Sequence, residues 1–104
     1  SEFEYYIRKF VQDEEPGDDI SQIEAGYIFI ENEDVYFKLE TFMDFMVKNR
    51  QNKKRNELIH YLRNGGAQNV IKNKSRMWKV SKPTKIAIKD RSVTFNKSNE
   101  SVPF

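Results

Sequence analysis

The sequence predicts a small α+β fold, on three observations. Apolar residues recur at helical spacing in three stretches, aromatic and β-branched residues gather in short runs bounded by polar turns, and 104 residues leave room for one domain. Eight Phe, five Tyr and one Trp supply a core from few positions, because aromatic side chains bury much area each. A third of the chain is charged, yet its aromatic content is not that of a disordered segment.

The elements follow in order. Phe3, Tyr6, Ile7 and Phe10 lie at i, i+3, i+4 and i+7, the pattern of an amphipathic helix. The run Asp13 to Asp19, with Pro16-Gly17 inside it, breaks that helix and reads as a solvated acidic loop. Tyr27-Ile28-Phe29-Ile30 and Val35-Tyr36-Phe37 flank Glu31-Asn32-Glu33-Asp34 as a hairpin. Leu39, Phe42, Phe45 and Met46 predict a helix over about 40–49, with Thr41 and Asp44 as a capping pair. A polar, basic turn from Asn49 leads to a helix over about 53–64, which Gly65-Gly66 would end in a left-handed cap. Asn69-Val70-Ile71 and Met77-Trp78-Lys79-Val80 form a further hairpin across the basic turn 72–76. Trp78 and Val80 share a strand face and are expected in the core, with Met43, Met46 and Met77 in or near it. Lys85–Ile88 and Ser92–Phe95 predict another hairpin, and the last nine residues a frayed polar tail.

The net charge of +2 conceals a strong asymmetry. Residues 1–47 hold thirteen acidic and three basic residues; residues 48–104 hold fifteen basic and three acidic. Such a division indicates a polyanionic partner for the basic half or an acidic interaction surface on the other; alternatively, the two halves pair within the fold. On a helical wheel, Leu58, Ile59 and Leu62 face one way, and Lys53, Asn56, His60 and Arg63 the other. That polar stripe carries donors able to reach phosphates and base edges in a major groove, although an ordinary solvated helix face has the same look. Lys54 adds a cation at its start, and Lys72, Lys74, Arg76 and Lys79 cluster on the following hairpin. Basic residues also guard hairpin edges against aggregation, so the combination of helix and hairpin carries the expectation of nucleic-acid contact.

Strand, helix, basic turn, helix and hairpin over Val35 to Lys82 resemble a winged-helix domain. The resemblance implies recognition by Lys53, Asn56, His60 and Arg63, wing contacts from Lys72, Lys74 and Arg76, and duplex DNA as partner. It divides the chain into an N-terminal helix, acidic loop and first hairpin strand (1–34), a winged-helix core (35–82) and a C-terminal hairpin and tail (83–104). The usual fold has three helices before the wing. If the helix at Phe3–Phe10 supplies the first, the acidic loop and first hairpin are an insertion. Val35–Phe42, Lys54–Ile59, Leu62–Ala67 and Arg76–Val80 further resemble the C-terminal winged-helix module of phage and mobile-element primase–helicases, which implies a larger replication protein as parent. The competing expectation is a protein-docking module that uses Asp13, Glu14, Glu15, Asp18 and Asp19, with another replication protein as partner.

Other chemistry finds little support. Without Cys there are no disulfides, thiolate nucleophiles or Cys-ligated metal sites, and a single His argues against multi-His metal centres and a Ser-His-Asp triad. Gly65-Gly66 lacks the Lys-Ser/Thr of a phosphate loop, so no cofactor is expected, nor is an enzyme activity in this chain alone. No apolar run is long enough for a membrane span and no secretory signal opens the chain, which points to an intracellular setting. The chain opens without Met, as a piece of a longer protein would.

Overall fold

The computed structural model describes residues 2–83. It contains helices α1 (Glu2–Asp13), α2 (Leu39–Lys48) and α3 (Arg55–Asn64), and strands β1 (Phe29–Glu31), β2 (Asp34–Phe37), β3 (Gln68–Lys72) and β4 (Ser75–Ser81). The strands form one antiparallel sheet in the order β1-β2-β4-β3. The hairpin expected over 85–95 and the polar tail lie outside the described residues.

Strand alternation gives the sheet two distinct faces. Val35 pairs with Val80 and Phe37 with Trp78, and these four side chains join Ile7 and Phe10 of α1, Phe42, Phe45 and Met46 of α2, and Leu58 and Leu62 of α3 in the main core. The opposite face carries Tyr36 and Met77, which close over Ile23 with Ile20, Phe29 and Val70 around them. Phe10 is fully buried at the centre, its ring edge-on to Phe37 at 5.0 Å, Phe42 at 4.9 Å and Phe45 at 5.2 Å. Trp78, Met46 and Met77 are buried and Met43 is partly buried, as the sequence indicates.

Both hairpins turn more tightly than expected. Asn32-Glu33 and Asn73-Lys74 are two-residue turns, so Glu31 pairs with Asp34 and Lys72 with Ser75. All four turn residues have positive φ (50°, 71°, 53° and 61°), as the primed hairpin turns require. Asn tolerates that conformation, whereas Glu33 and Lys74 stand where Gly is usual. At the other end of β1, Tyr27 falls outside the strand and Ile28 bridges to Pro16.

After the acidic run, Ile20–Ala25 forms a 3-10 helix that the sequence reading does not anticipate. Asp19 caps it by accepting from Ser21 N at 3.0 Å, and Gln22 Oε1 accepts from Asp19 N at 3.0 Å. Gly26 ends it at φ 97°. Helix α2 starts at Leu39 rather than Glu40, and Thr41 lies buried inside it instead of capping it. The N-cap residue is Lys38, whose side chain is drawn across to the β3–β4 hairpin and leaves no side-chain cap. Helix α3 begins at Arg55, which places Lys53 before the helix rather than on it. Its C-terminal turn closes through Gly66 at φ 99°, with Ala67 N donating to Leu62 O at 2.9 Å.

Gly65 is needed for space, since a Cβ there would run into the Phe3 ring of α1. Gly65→Ala should lower the unfolding free energy by about 1–3 kcal/mol in denaturant melts, and adding Phe3→Ala should make the two losses less than additive. Glu33→Gly should raise it by about 0.5–1 kcal/mol, by relieving the left-handed residue in the first hairpin turn.

Candidate nucleic-acid interface

Helix α3 buries Leu58 and Leu62 in the main core, so its opposite face is turned outward. Asn56, His60 and Arg63 lie exposed along that face at i, i+4 and i+7. Lys54 is exposed at the helix start, where its backbone N donates to Glu57 Oε1 at 2.8 Å. Glu57, the one acid on the helix, is thereby occupied with the first turn. Lys53 is half-buried and points inward, its ammonium 4.9 Å from the Tyr61 ring centroid.

Between α3 and the main-core face of the β3–β4 hairpin runs an open groove of about 440 Å³. Trp78 lies at its base, and the Arg63 guanidinium sits 5.9 Å from the indole centroid. Arg76 alternates onto the same sheet face as Trp78 and is held by Nη1 donating to Asn69 Oδ1 at 2.7 Å. Asn69 reaches that face because it pairs with Trp78. Arg55 lines the groove near Glu40, to which it is ion-paired at 2.9 Å. Two guanidinium groups, Arg63 and Arg76, thus border one groove without a carboxylate partner among the described ion pairs.

The four cations predicted on the hairpin are not equivalent. Lys74 is exposed at the turn and Arg76 lines the groove. Lys72 and Lys79 alternate onto the opposite sheet face. There Lys72 lies 2.9 Å from Glu31 Oε1 and 5.0 Å from the Tyr36 ring centroid, and Lys79 lies 4.0 Å from Asp34 Oδ2. A shallow recess beside them is lined by Asp18, Asp19, Glu31 and Lys72. Together with Arg55–Glu40, these contacts realise part of the pairing between the two halves. All three are solvent-accessible and each contributes at most about 1 kcal/mol to stability.

The acidic set divides likewise. Asp13 pairs with Lys9 at 3.5 Å and Asp19 caps the 3-10 helix. The half-buried Glu14 carboxyl is pushed above the ordinary range by burial, against the opposing pull of Lys48. Glu15 and Asp18 are exposed. Among the described residues, no group of three or more His, Asp or Glu is placed to hold a metal ion, and no helix is long and apolar enough to cross a membrane. Lys38, Arg55 and Asn69 were absent from the sequence-based set. Arg55 was findable, because 55, 59 and 63 share a helix face; Lys38 and Asn69 depend on strand pairing. No family model matches the chain, and comparison with curated proteins and with solved structures found no match.

Among the described residues, three carboxyls lie below their ordinary range: Asp19 chiefly through the Ser21 hydroxyl, Glu24 chiefly through the Ser75 hydroxyl, and Glu40 chiefly through Arg55. Acids depressed in the folded state stabilise it above their ordinary values and lose that contribution as pH falls through the lowered ones. Glu14 acts in the opposite sense but is a single group. Thermal melts should therefore show a midpoint nearly constant from about pH 7 to 5 and falling below about pH 4.

Proposed function

We propose that this chain is a winged-helix module that binds duplex DNA within a larger replication protein. Helix α3 enters the major groove, and the β3–β4 hairpin acts as the wing. The observation that carries the reading is the shared groove. Arg63 on α3 and Arg76 on β4 face one opening, with Asn56 and His60 exposed along α3 and Lys74 at the hairpin tip. The order β2, α2, α3, β3, β4, with β4 pairing between β2 and β3, supports it as well. In this reading α1 is the first helix, and residues 14–31 with β1 are inserted before β2.

Arg63, Arg76, Lys74 and Lys54 neutralise backbone phosphates, while Asn56 and His60 meet base edges. Lys72 and Lys79 contribute less, since they lie on the acid-lined sheet face. About four phosphate contacts give a slope of log affinity against log salt of roughly −3 to −4. The docking alternative draws on Glu15 and Asp18, which remain exposed, and no longer on Asp19, whose carboxylate caps the 3-10 helix.

Fluorescence anisotropy on labelled duplex DNA at low and moderate salt tests the proposal. Arg63→Glu and Lys74→Glu should each weaken binding roughly tenfold or more, and Lys72→Met and Lys79→Met by no more than about threefold. His60→Ala should weaken binding with little change in the salt slope, as loss of a base contact does. Equal affinity across folded variants would overturn the reading. A pull-down lost on reversing Glu15 and Asp18 to Lys, and indifferent to Arg63→Glu, would establish the docking alternative.

A further inference from the structure

Three side chains from distant parts of the chain meet at the base of the β3–β4 turn. Ser75 Oγ donates to Glu24 Oε2 at 2.7 Å and accepts from Lys38 Nζ at 2.6 Å. The same ammonium donates to the Arg76 carbonyl at 2.9 Å and lies 3.4 Å from Glu24 Oε2. The ammonium thus makes two hydrogen bonds and one ion pair, and the Ser75 hydroxyl both donates and accepts. Glu24 belongs to the 3-10 helix, Lys38 to the junction of β2 and α2, and Ser75 opens β4 immediately after the turn.

Position gives this contact its consequence. The hairpin leaves the core near its tip, where Ile71 is 67% exposed and Asn73 and Lys74 are exposed as well. Two strands alone hold their direction poorly in water. The last buried apolar contact before the tip is Met77 against Ile23 and Tyr36. Beyond it, the Glu24–Lys38–Ser75 contact ties the hairpin to the 3-10 helix and to the β2–α2 junction, while Lys72 ties the neighbouring strand to Glu31 and Tyr36.

We propose that Glu24, Lys38 and Ser75 are positioning residues that fix the direction of the β3–β4 tip, and so hold Lys74 and Arg76 in register with α3. The acidic segment then braces the basic hairpin instead of serving as a docking surface. The part of this proposal that concerns DNA rests on the function proposed above; the mechanical part does not. Charge alone makes the opposite forecast. Removing Glu24 takes a carboxylate away from the hairpin and, on electrostatics only, tightens polyanion binding.

Two measurements on the whole 104-residue chain separate these outcomes. Without DNA, ¹⁵N heteronuclear NOE values at residues 72–76 should drop in Ser75→Ala and return in Ser75→Thr, which keeps the hydroxyl. Unchanged values in Ser75→Ala would overturn the brace whatever the DNA result. Lys38→Met, which keeps the aliphatic stem, supplies a second variant should Ser75→Ala fold poorly. In the anisotropy titration, Ser75→Ala and Glu24→Ala should each weaken duplex binding about three- to tenfold, with Ser75→Thr within about twofold of the parent. Unchanged or tighter binding by Glu24→Ala would overturn the positioning role and mark Glu24 as an electrostatic brake. If the parent chain binds no duplex, the DNA-binding reading fails, and the NOE comparison alone decides the brace.

Discussion

The edge-on packing of Phe10 against Phe37, Phe42 and Phe45 is the contact on which the arrangement depends. One ring from α1 touches both β2 and α2, so it joins the helix layer to the sheet at the centre of the main core. Burying four aromatic rings in one cluster concentrates apolar area at few positions, which a chain this rich in charge requires. The orientation of everything else follows. With Phe37 inward, Trp78 and Val80 must also face inward, since they pair with Phe37 and Val35. Arg76 then emerges on the helix side and Lys79 on the other.

That parity explains why a run of basic residues in the sequence does not become a uniform basic surface. The hairpin has a guanidinium-bearing front beside α3 and a rear where Lys72 and Lys79 meet Glu31 and Asp34. The acidic half is partly tied up within the fold, although Glu15 and Asp18 stay exposed. Its members cap a 3-10 helix, pair with lysines behind the sheet and reach Ser75. Among the described residues, the cations at the groove without an ion pair are Arg63 and Arg76.

The helices and strands were legible because apolar spacing records burial directly. Phe10, Leu58, Leu62 and Trp78 could be assigned to a core from pattern alone. Turn lengths were less legible, since Asn32-Glu33 and Asn73-Lys74 lack the glycine that marks a two-residue hairpin. The 3-10 helix did leave a sign, Asp19 followed by Gln22, but it was masked by an acidic run that reads as loop. At the candidate site the outer face of α3 was visible to a helical wheel. The separation of Arg76 and Lys74 from Lys72 and Lys79 was not, because it needs the register of β4. Lys38 was out of reach, as its partners Glu24, Ser75 and Arg76 all lie far from it along the chain.

The two-sided hairpin also governs how the molecule meets a large charged body. On the α3 side such a body would meet Arg63 and Arg76, and behind the sheet Asp18, Asp19 and Glu31 beside Lys72. A polyanion therefore exerts a torque on the protein before any contact forms. That torque arises from the separation of charge between the two sides of the described sheet and not from the total charge. Salt shortens its reach to about a Debye length, roughly 8 Å at physiological ionic strength.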